Sequence, residues 1–212
     1  MSPETPETQA IGPPETTDVR VLGVVLAAGR ATRMQGSKVV RPVGGRPMVE
    51  RVVDAALASR LAGTVVVVGH EADAVRALVA GRPLRVVHNP SFAEGLSTSV
   101  HAALRDIAPD FDAALFLLAD QPFVTAALID RLLESFAGGG KLIVRPQVGG
   151  TPGNPVLFSA RLFPELLQET GDRGGRDVVR RHLGEVRLVA VDDPLACLDI
   201  DSLEEYERVK NG

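Results

Sequence analysis

The chain has 212 residues, 45% of them hydrophobic and 24% charged, with a formal net charge of −4; that is enough apolar material for one globular domain with a substantial core, and its scattered bases on an acidic background disfavour nucleic acid and anionic membranes as partners. The single cysteine, Cys197, excludes an internal disulfide and a cysteine-rich zinc site. No apolar run is long enough to cross a bilayer, and the N-terminus has neither the basic patch nor the apolar core of a secretory signal, so the expectation is a cytoplasmic protein in a reducing compartment.

Residues 1–19 hold Pro3, Pro6, Pro13 and Pro14 among Thr and Glu, a composition that predicts a disordered tail ahead of a domain over 20–212. Beyond it, short β-branched runs alternate with amphipathic Ala- and Leu-rich segments, the pattern of βαβ units. Strands are expected at 21–27, 64–69, 84–88, 113–118, 141–145, 155–158 and 186–191, with a last short one at 197–200. Helices are expected at 47–59, 71–80, 97–107, 125–137, 175–183 and 202–210. The fold class is α/β: a doubly wound, mostly parallel, Rossmann-like sheet in a single domain.

Such sheets bind ligands beyond the carboxyl ends of their strands. The first strand runs through Leu26 and Ala27 into Ala28 and Gly29, whose small side chains let backbone N–H groups approach phosphate oxygens, with Arg33 and Lys38 supplying charge. The loop matches neither GxxxxGK[ST] nor GxGxxG, and simple structural punctuation is its competing reading. The next such place is His88–Ser99, where Asn89 and Pro90 precede Gly95, Ser97 and Ser99 at a helix start; capping accounts for Ser97 alone. The third is Asp120, at the end of the apolar run Ala114–Leu118. Pro122 and Thr125 open the following helix better than Asp120 does, which leaves its carboxylate for a hard dication such as Mg2+. A second carboxylate comes from Asp199 or Asp201, alternate residues of one extended segment; Asp201 reads as the N-cap region of the last helix, which makes Asp199 the choice. Two glycine-rich loops follow in the second half, at 149–154 and 171–175, the latter running into Arg176, while His70, His101 and His182 lack metal-ligand spacing.

The loop LAAGxxxRM, with Lys38 four residues after Met34, resembles the signature of the MobA-like nucleotidyltransferases, most of all the molybdenum cofactor cytidylyltransferases. Asn89-Pro90…Gly95-Leu96-Ser97-Thr98-Ser99 resembles the family's NPxxxxGxSSS, and Asp199-Ile200-Asp201-Ser202-Leu203-Glu204-Glu205-Tyr206 its DIDTPEDY. Gly153-Asn154-Pro155-Val156 and Gly171-Asp172-Arg173-Gly174-Gly175-Arg176 are similar to its GHPV and GDxGAR. The resemblance implies Mg2+-dependent transfer of CMP from CTP to the terminal phosphate of molybdopterin, with release of pyrophosphate. It implies catalytic roles for Arg33, Lys38 and Asp120, and a nucleotide held by Leu26, Ala27, Ala28, Gly29, Asn89, Gly95, Ser97 and Ser99. It further implies Mg2+ on Asp120 and Asp199, and an acceptor phosphate near Arg176. The product would pass to a molybdoenzyme or its chaperone. Ala28 follows the LAAG of cytidylyltransferases and departs from the LAGG of guanylyltransferases, while Ala31, Gln35 and Asn154 depart from the family's Ser, Gly and His. GMP transfer, a different phosphorylated acceptor, a nicotinamide- or flavin-dependent oxidoreductase and a catalytically silent carrier are the competing readings.

Overall fold

The computed structural model describes residues 19–29, 38–105 and 110–211. The tail over residues 1–18, Arg33, Ala31 and Gln35 lie outside them. In chain order the elements are β1 (Val21–Ala27), β2 (Pro42–Val43), β3 (Arg46–Pro47), α1 (Met48–Leu57), β4 (Gly63–Val68), α2 (Ala72–Val79), β5 (Arg85–His88), α3 (Leu96–Arg105), β6 (Ala113–Leu118) and α4 (Ala126–Ala137). They continue as β7 (Ile143–Val148), β8 (Thr151–Pro152), β9 (Val156–Ser159), α5 (Phe163–Leu166), α6 (Arg176–Arg181), β10 (Val186–Val191) and α7 (Leu203–Val209). None of the described helices is long and apolar enough to cross a membrane.

The main sheet runs β10-β7-β9-β6-β1-β4-β5, with the short β8 alongside β7. All pairs are parallel except those of β9 with β6 and β7, and of β8 with β7. All seven residues of β1 are buried, as a central strand covered on both faces requires. Alternation sends Val25, Val66 and Leu117 to the layer of α1 and α4, and Val24, Val67 and Phe116 to the layer of α3 and α5.

From β1 the chain moves outward through β4 and β5, then crosses back to β6 on the other side of β1. That reversal is a topological switch point, where the loops after two neighbouring strands diverge and leave a crevice. The register pairs Leu26 with Leu118, so the loop starting at Ala28 and the segment Ala119–Gln121 leave the sheet side by side; Ala119 N donates to Leu26 O at 3.2 Å.

Several elements differ from the sequence pattern, among them β8 and α5, which were not expected. Residues 197–200 are not a strand: turn hydrogen bonds from Ala196 N to Asp193 O and from Leu198 N to Leu195 O curl this stretch, and Ile200 N is taken by Asp120 O at 3.1 Å. The hairpin β2–β3 was not visible in the periodicity because its strands are two residues long. Gly44 and Gly45, with φ of 57° and 77°, make the two-residue turn that this hairpin needs.

Candidate active site

Ile200 sets the geometry. It is fully buried with Val43 and Met48 in a small third core, against Phe123, Tyr206 and Val209. This cluster joins the β2–β3 hairpin, the start of α1 and the C-terminal helix, reinforced by Tyr206 Oη donating to Pro42 O at 2.9 Å. Arg51 closes it from the side, donating to Pro122 O at 3.1 Å and to Val43 O at 3.2 Å. With Ile200 anchored, its neighbours Asp199 and Asp201 both line the cleft beside Asp120.

Lys38 stands at the start of the turn that leads into the hairpin, with Arg41 N donating to its carbonyl at 3.1 Å. Its Nζ lies 2.6 Å from Asp120 Oδ2 and 2.6 Å from Asp201 Oδ1. Burial works against the ammonium, but Asp120 and Asp201 outweigh it and lift the Lys38 pKa above its ordinary value. The group is a fixed cation at neutral pH. Asp199 is held apart from that pair by Gln121, whose Nε2 donates to Asp199 Oδ1 at 2.9 Å and to Cys197 O at 3.2 Å. Burial first, then the charges of Asp120 and Asp201, push the Asp199 pKa up to about 6.

The remaining oxygen of Asp120, Oδ1, is buried and has no hydrogen-bond partner among the described residues. A carboxylate oxygen withdrawn from water and unpaired is costly, and a dication is the partner that offsets it. Among the described residues no three His, Cys, Asp or Glu side chains form a metal cage by themselves. That donor set suits Mg2+ or Mn2+, which take one or two carboxylates and complete their shell with phosphate oxygens and water. Asp120 and Asp199 would hold such an ion, with Asp201 occupied by Lys38.

The cleft has a volume of about 730 Å3. Leu26, Val100, Phe116 and Phe158 form its apolar floor and wall, and Arg145, Arg176 and Asn154 face it from the second half of the chain. Cys197 also lines it; burial raises its thiol pKa to about 11, with Asp199 adding to the shift, which keeps it protonated and poorly nucleophilic.

The sequence-derived residues divide between this cleft and its framework. Leu26, Asp199 and Arg176 line the cleft, and Lys38 with Asp120 adjoins it through Asp201. Ala27 and Ala28 are buried while Gly29 is exposed at the end of the described loop. The Ala28 methyl meets the space beside Gly69, where Phe92 also packs. Asn89 is 2% exposed and its amide is fully engaged: Nδ2 donates to Thr98 Oγ1 and Ser99 Oγ, and Oδ1 accepts from Ser91 N. It locks the end of β5 to the start of α3, where Ser97 and Ser99 are also buried. Gly95 has a φ of 118°, and a Cβ there would lie 2.3 Å from the Gly171 carbonyl carbon. This motif therefore has a folding role of its own.

Two residues of the site, Gln121 and Arg145, were not among those singled out in the sequence, and a third, Asp201, was weighed as a ligand and passed over. Asp201 was read as part of the helix start, but Ser202 is the N-cap, in a reciprocal capping box with Glu205, and this releases the Asp201 carboxylate to Lys38. Gln121 sits directly after Asp120 and positions Asp199. Arg145 lies on a strand and carried no local signal.

A family model described as MobA-like NTP transferase domain matches residues 23–186. The bifunctional protein GlmU of Agrobacterium fabrum is 37% identical over 154 residues, which are 71% of this chain and 32% of that protein; the chain spans about a third of the length of such relatives. The nicotine blue oxidoreductase of Paenarthrobacter nicotinovorans is 30% identical over 196 residues, covering 89% of this chain and 96% of that protein. Among solved structures, Rv0371c from Mycobacterium tuberculosis H37Rv superposes with a TM-score of 0.80 at 29% identity, covering 92% of this chain and 98% of that one. A second structure of Rv0371c is a complex with manganese, with a TM-score of 0.78.

Proposed function

The chain belongs to the MobA-like NTP transferase family, and from that premise we propose that it is a nucleotidyltransferase that transfers CMP from CTP to the terminal phosphate of molybdopterin, with Mg2+ as its metal and pyrophosphate as leaving group. The observation that carries this reading is the unpaired, buried Oδ1 of Asp120 beside the Lys38 ammonium. A carboxylate with one oxygen left for a metal and the other on a fixed cation, at the switch point, supplies the two kinds of group a metal-bound triphosphate requires. The manganese complex of Rv0371c supports a divalent ion in a relative of this fold.

In this reading Lys38 steadies the triphosphate, and Gly29 with its neighbours offers backbone N–H groups to phosphate oxygens; Arg33 is assigned the same task as Lys38. Asn89, Gly95, Ser97 and Ser99 shape the wall for base and ribose, and Arg176 faces the acceptor. Asp120 and Asp199 would hold the metal, which when bound offsets the charge that builds on the α-phosphate. The acceptor phosphate is an anion at neutral pH, so no residue has to remove a proton from it, and no histidine lines the described cleft. Positioning and charge neutralisation then account for the catalysis. A cytoplasmic setting and delivery of the product to a molybdoenzyme or its chaperone complete the proposal.

A second reading follows from one comparison. The nicotine blue oxidoreductase aligns over nearly its whole length, which favours an oxidoreductase on this same fold. Pyrophosphate release from CTP, GTP, UTP and ATP, each with and without molybdopterin, in Mg2+ and in Mn2+, separates the two. Release with CTP that requires molybdopterin supports the proposal, and release with GTP alone replaces the nucleotide. No release with any nucleotide, together with oxidation of NADH or NADPH, overturns it in favour of the oxidoreductase.

A further inference from the structure

Arg145 is a half-buried arginine on β7 whose side chain reaches the cleft. Its Nε donates to Gly153 O at 2.9 Å. That bond fastens the turn between β8 and β9 but occupies one of its three nitrogens, and Arg145 forms no ion pair with a described residue. Arg176 also lines the cleft, without an ion pair among the described residues. Burial above all lowers the Arg145 pKa; Cys197 opposes that shift, and the like charge of Arg176 adds to it.

Desolvating one cation and placing a second beside it costs free energy unless an anion joins them. Elsewhere on this surface arginines meet carboxylates, as Arg181 does with Glu165 and Glu169. In the cleft the carboxylates Asp199, Asp201 and Glu205 are engaged by Gln121, Lys38 and Ser202, so among the described residues no carboxylate is ion-paired with either arginine. Gly153 closes the wall beside them, since a Cβ there would lie 2.8 Å from the Cys197 side chain.

We propose that Arg145 and Arg176 together form an anion subsite of this cleft, and that Arg145 is a specificity-determining residue for an acceptor carrying a phosphate monoester. The planar guanidinium fork matches paired phosphate oxygens. The facing apolar wall of Leu96, Val100, Phe116 and Phe158 fits the organic body of the acceptor and gives free phosphate nothing further. Neither arginine is ion-paired to the Lys38, Asp120 and Asp201 group, although all of them border the same cleft as Asp199. This inference rests on the nucleotidyl-transfer reading for the identity of its ligand.

The test uses the full chain and two readouts: titration calorimetry with inorganic phosphate, with and without CTP, and pyrophosphate release at varied molybdopterin and CTP. Arg145→Gln is expected to weaken phosphate binding and raise the acceptor KM by about 10- to 100-fold, as loss of a charge-assisted pair implies, with the KM for CTP within about twofold. Arg145→Lys recovers part of the phosphate affinity. Arg176→Gln, at an exposed position, gives the same signature and guards against a folding defect in the Arg145 variants. Arg161→Gln, exposed and outside the cleft, changes neither readout. Unchanged phosphate affinity and acceptor KM in Arg145→Gln and Arg176→Gln overturn the subsite while leaving nucleotidyl transfer intact. Phosphate binding that depends on Arg145 in a protein that releases no pyrophosphate upholds the subsite and overturns the transferase reading.

Discussion

Lys38 and Asp201 meet at 2.6 Å although 163 residues separate them, and the same ammonium lies 2.6 Å from Asp120. One cation thus ties the loop after β1 to the loop after β6 and to the segment before α7. Lys38→Met leaves Asp120, Asp199 and Asp201 mutually repelling with no counter-charge. The variant is expected to lose about 100- to 1,000-fold in turnover, the usual loss when a preorganised charge is removed from a phosphoryl site. It should also unfold at a lower temperature in EDTA, which differential scanning calorimetry checks. Near-normal turnover would remove Lys38 from the catalytic group.

Asp120→Asn keeps the size of the side chain and removes its charge. Because Oδ1 is the buried oxygen without a partner, the substitution removes the reason for a dication to bind there. Two results are expected together: turnover falls by about 100-fold or more, and Mn2+ no longer raises the melting temperature. A variant that still gains stability from Mn2+ would move the metal to other residues.

The sheet was legible because its central strands are continuous apolar runs, and β1 and β6 are bounded by the very residues where periodicity ends. The same logic singled out Asp120, which comes just after β6, whereas Lys38, well past the end of β1, was picked by its charge and its spacing in the glycine loop. Asp201 was hidden by an ambiguity the sequence cannot resolve: an acidic residue before Ser202 suits a helix start equally well, and only the Ser202–Glu205 capping box shows that the carboxylate is released. Arg145 was hidden for another reason. It sits among apolar neighbours on a strand, and that it shares a cleft with Arg176, 31 positions further along the chain, is something no local pattern encodes. The expected strand at 197–200 failed because its alternation serves a buried Ile200 in the third core rather than a sheet face.

The segment from Asn89 to Ser99 carries a prediction about stability. Gly95→Ala places a side chain at a φ of 118°, with its Cβ 2.3 Å from the Gly171 carbonyl carbon. Backbone strain and the clash together cost about 2–4 kcal/mol, a drop of roughly 5–15 °C for a domain of this size. Asn89→Ala leaves the Ser91 amide and the Thr98 and Ser99 hydroxyls short of a partner and costs about 1–3 kcal/mol. Thermal unfolding without ligand measures both. If neither variant moves the melting temperature, these residues are kept for the nucleotide alone.

Asp199 supplies a pH dependence whose sign follows from its environment. Its pKa is pushed up from 3.8 to about 6, first by burial and then by Asp120 and Asp201, so in the metal-free protein the folded state holds a proton that the unfolded chain has released. Between pH 3.8 and about 6 the folded state binds more protons than the unfolded one at this site, so stability from Asp199 falls as pH rises, and the penalty is complete above that window. Asp199→Asn cannot ionise, and its side-chain oxygen still accepts from Gln121. In EDTA, urea unfolding should therefore show wild type and Asp199→Asn equal near pH 4 and the variant more stable at pH 7. Added Mn2+ should shrink or reverse that advantage at pH 7, because the ion stabilises the ionised carboxylate that the variant lacks. A difference between the two proteins that is the same at every pH would mean that Asp199 ionises in the folded chain as it does in water, and would remove the electrostatic case for a cation beside it.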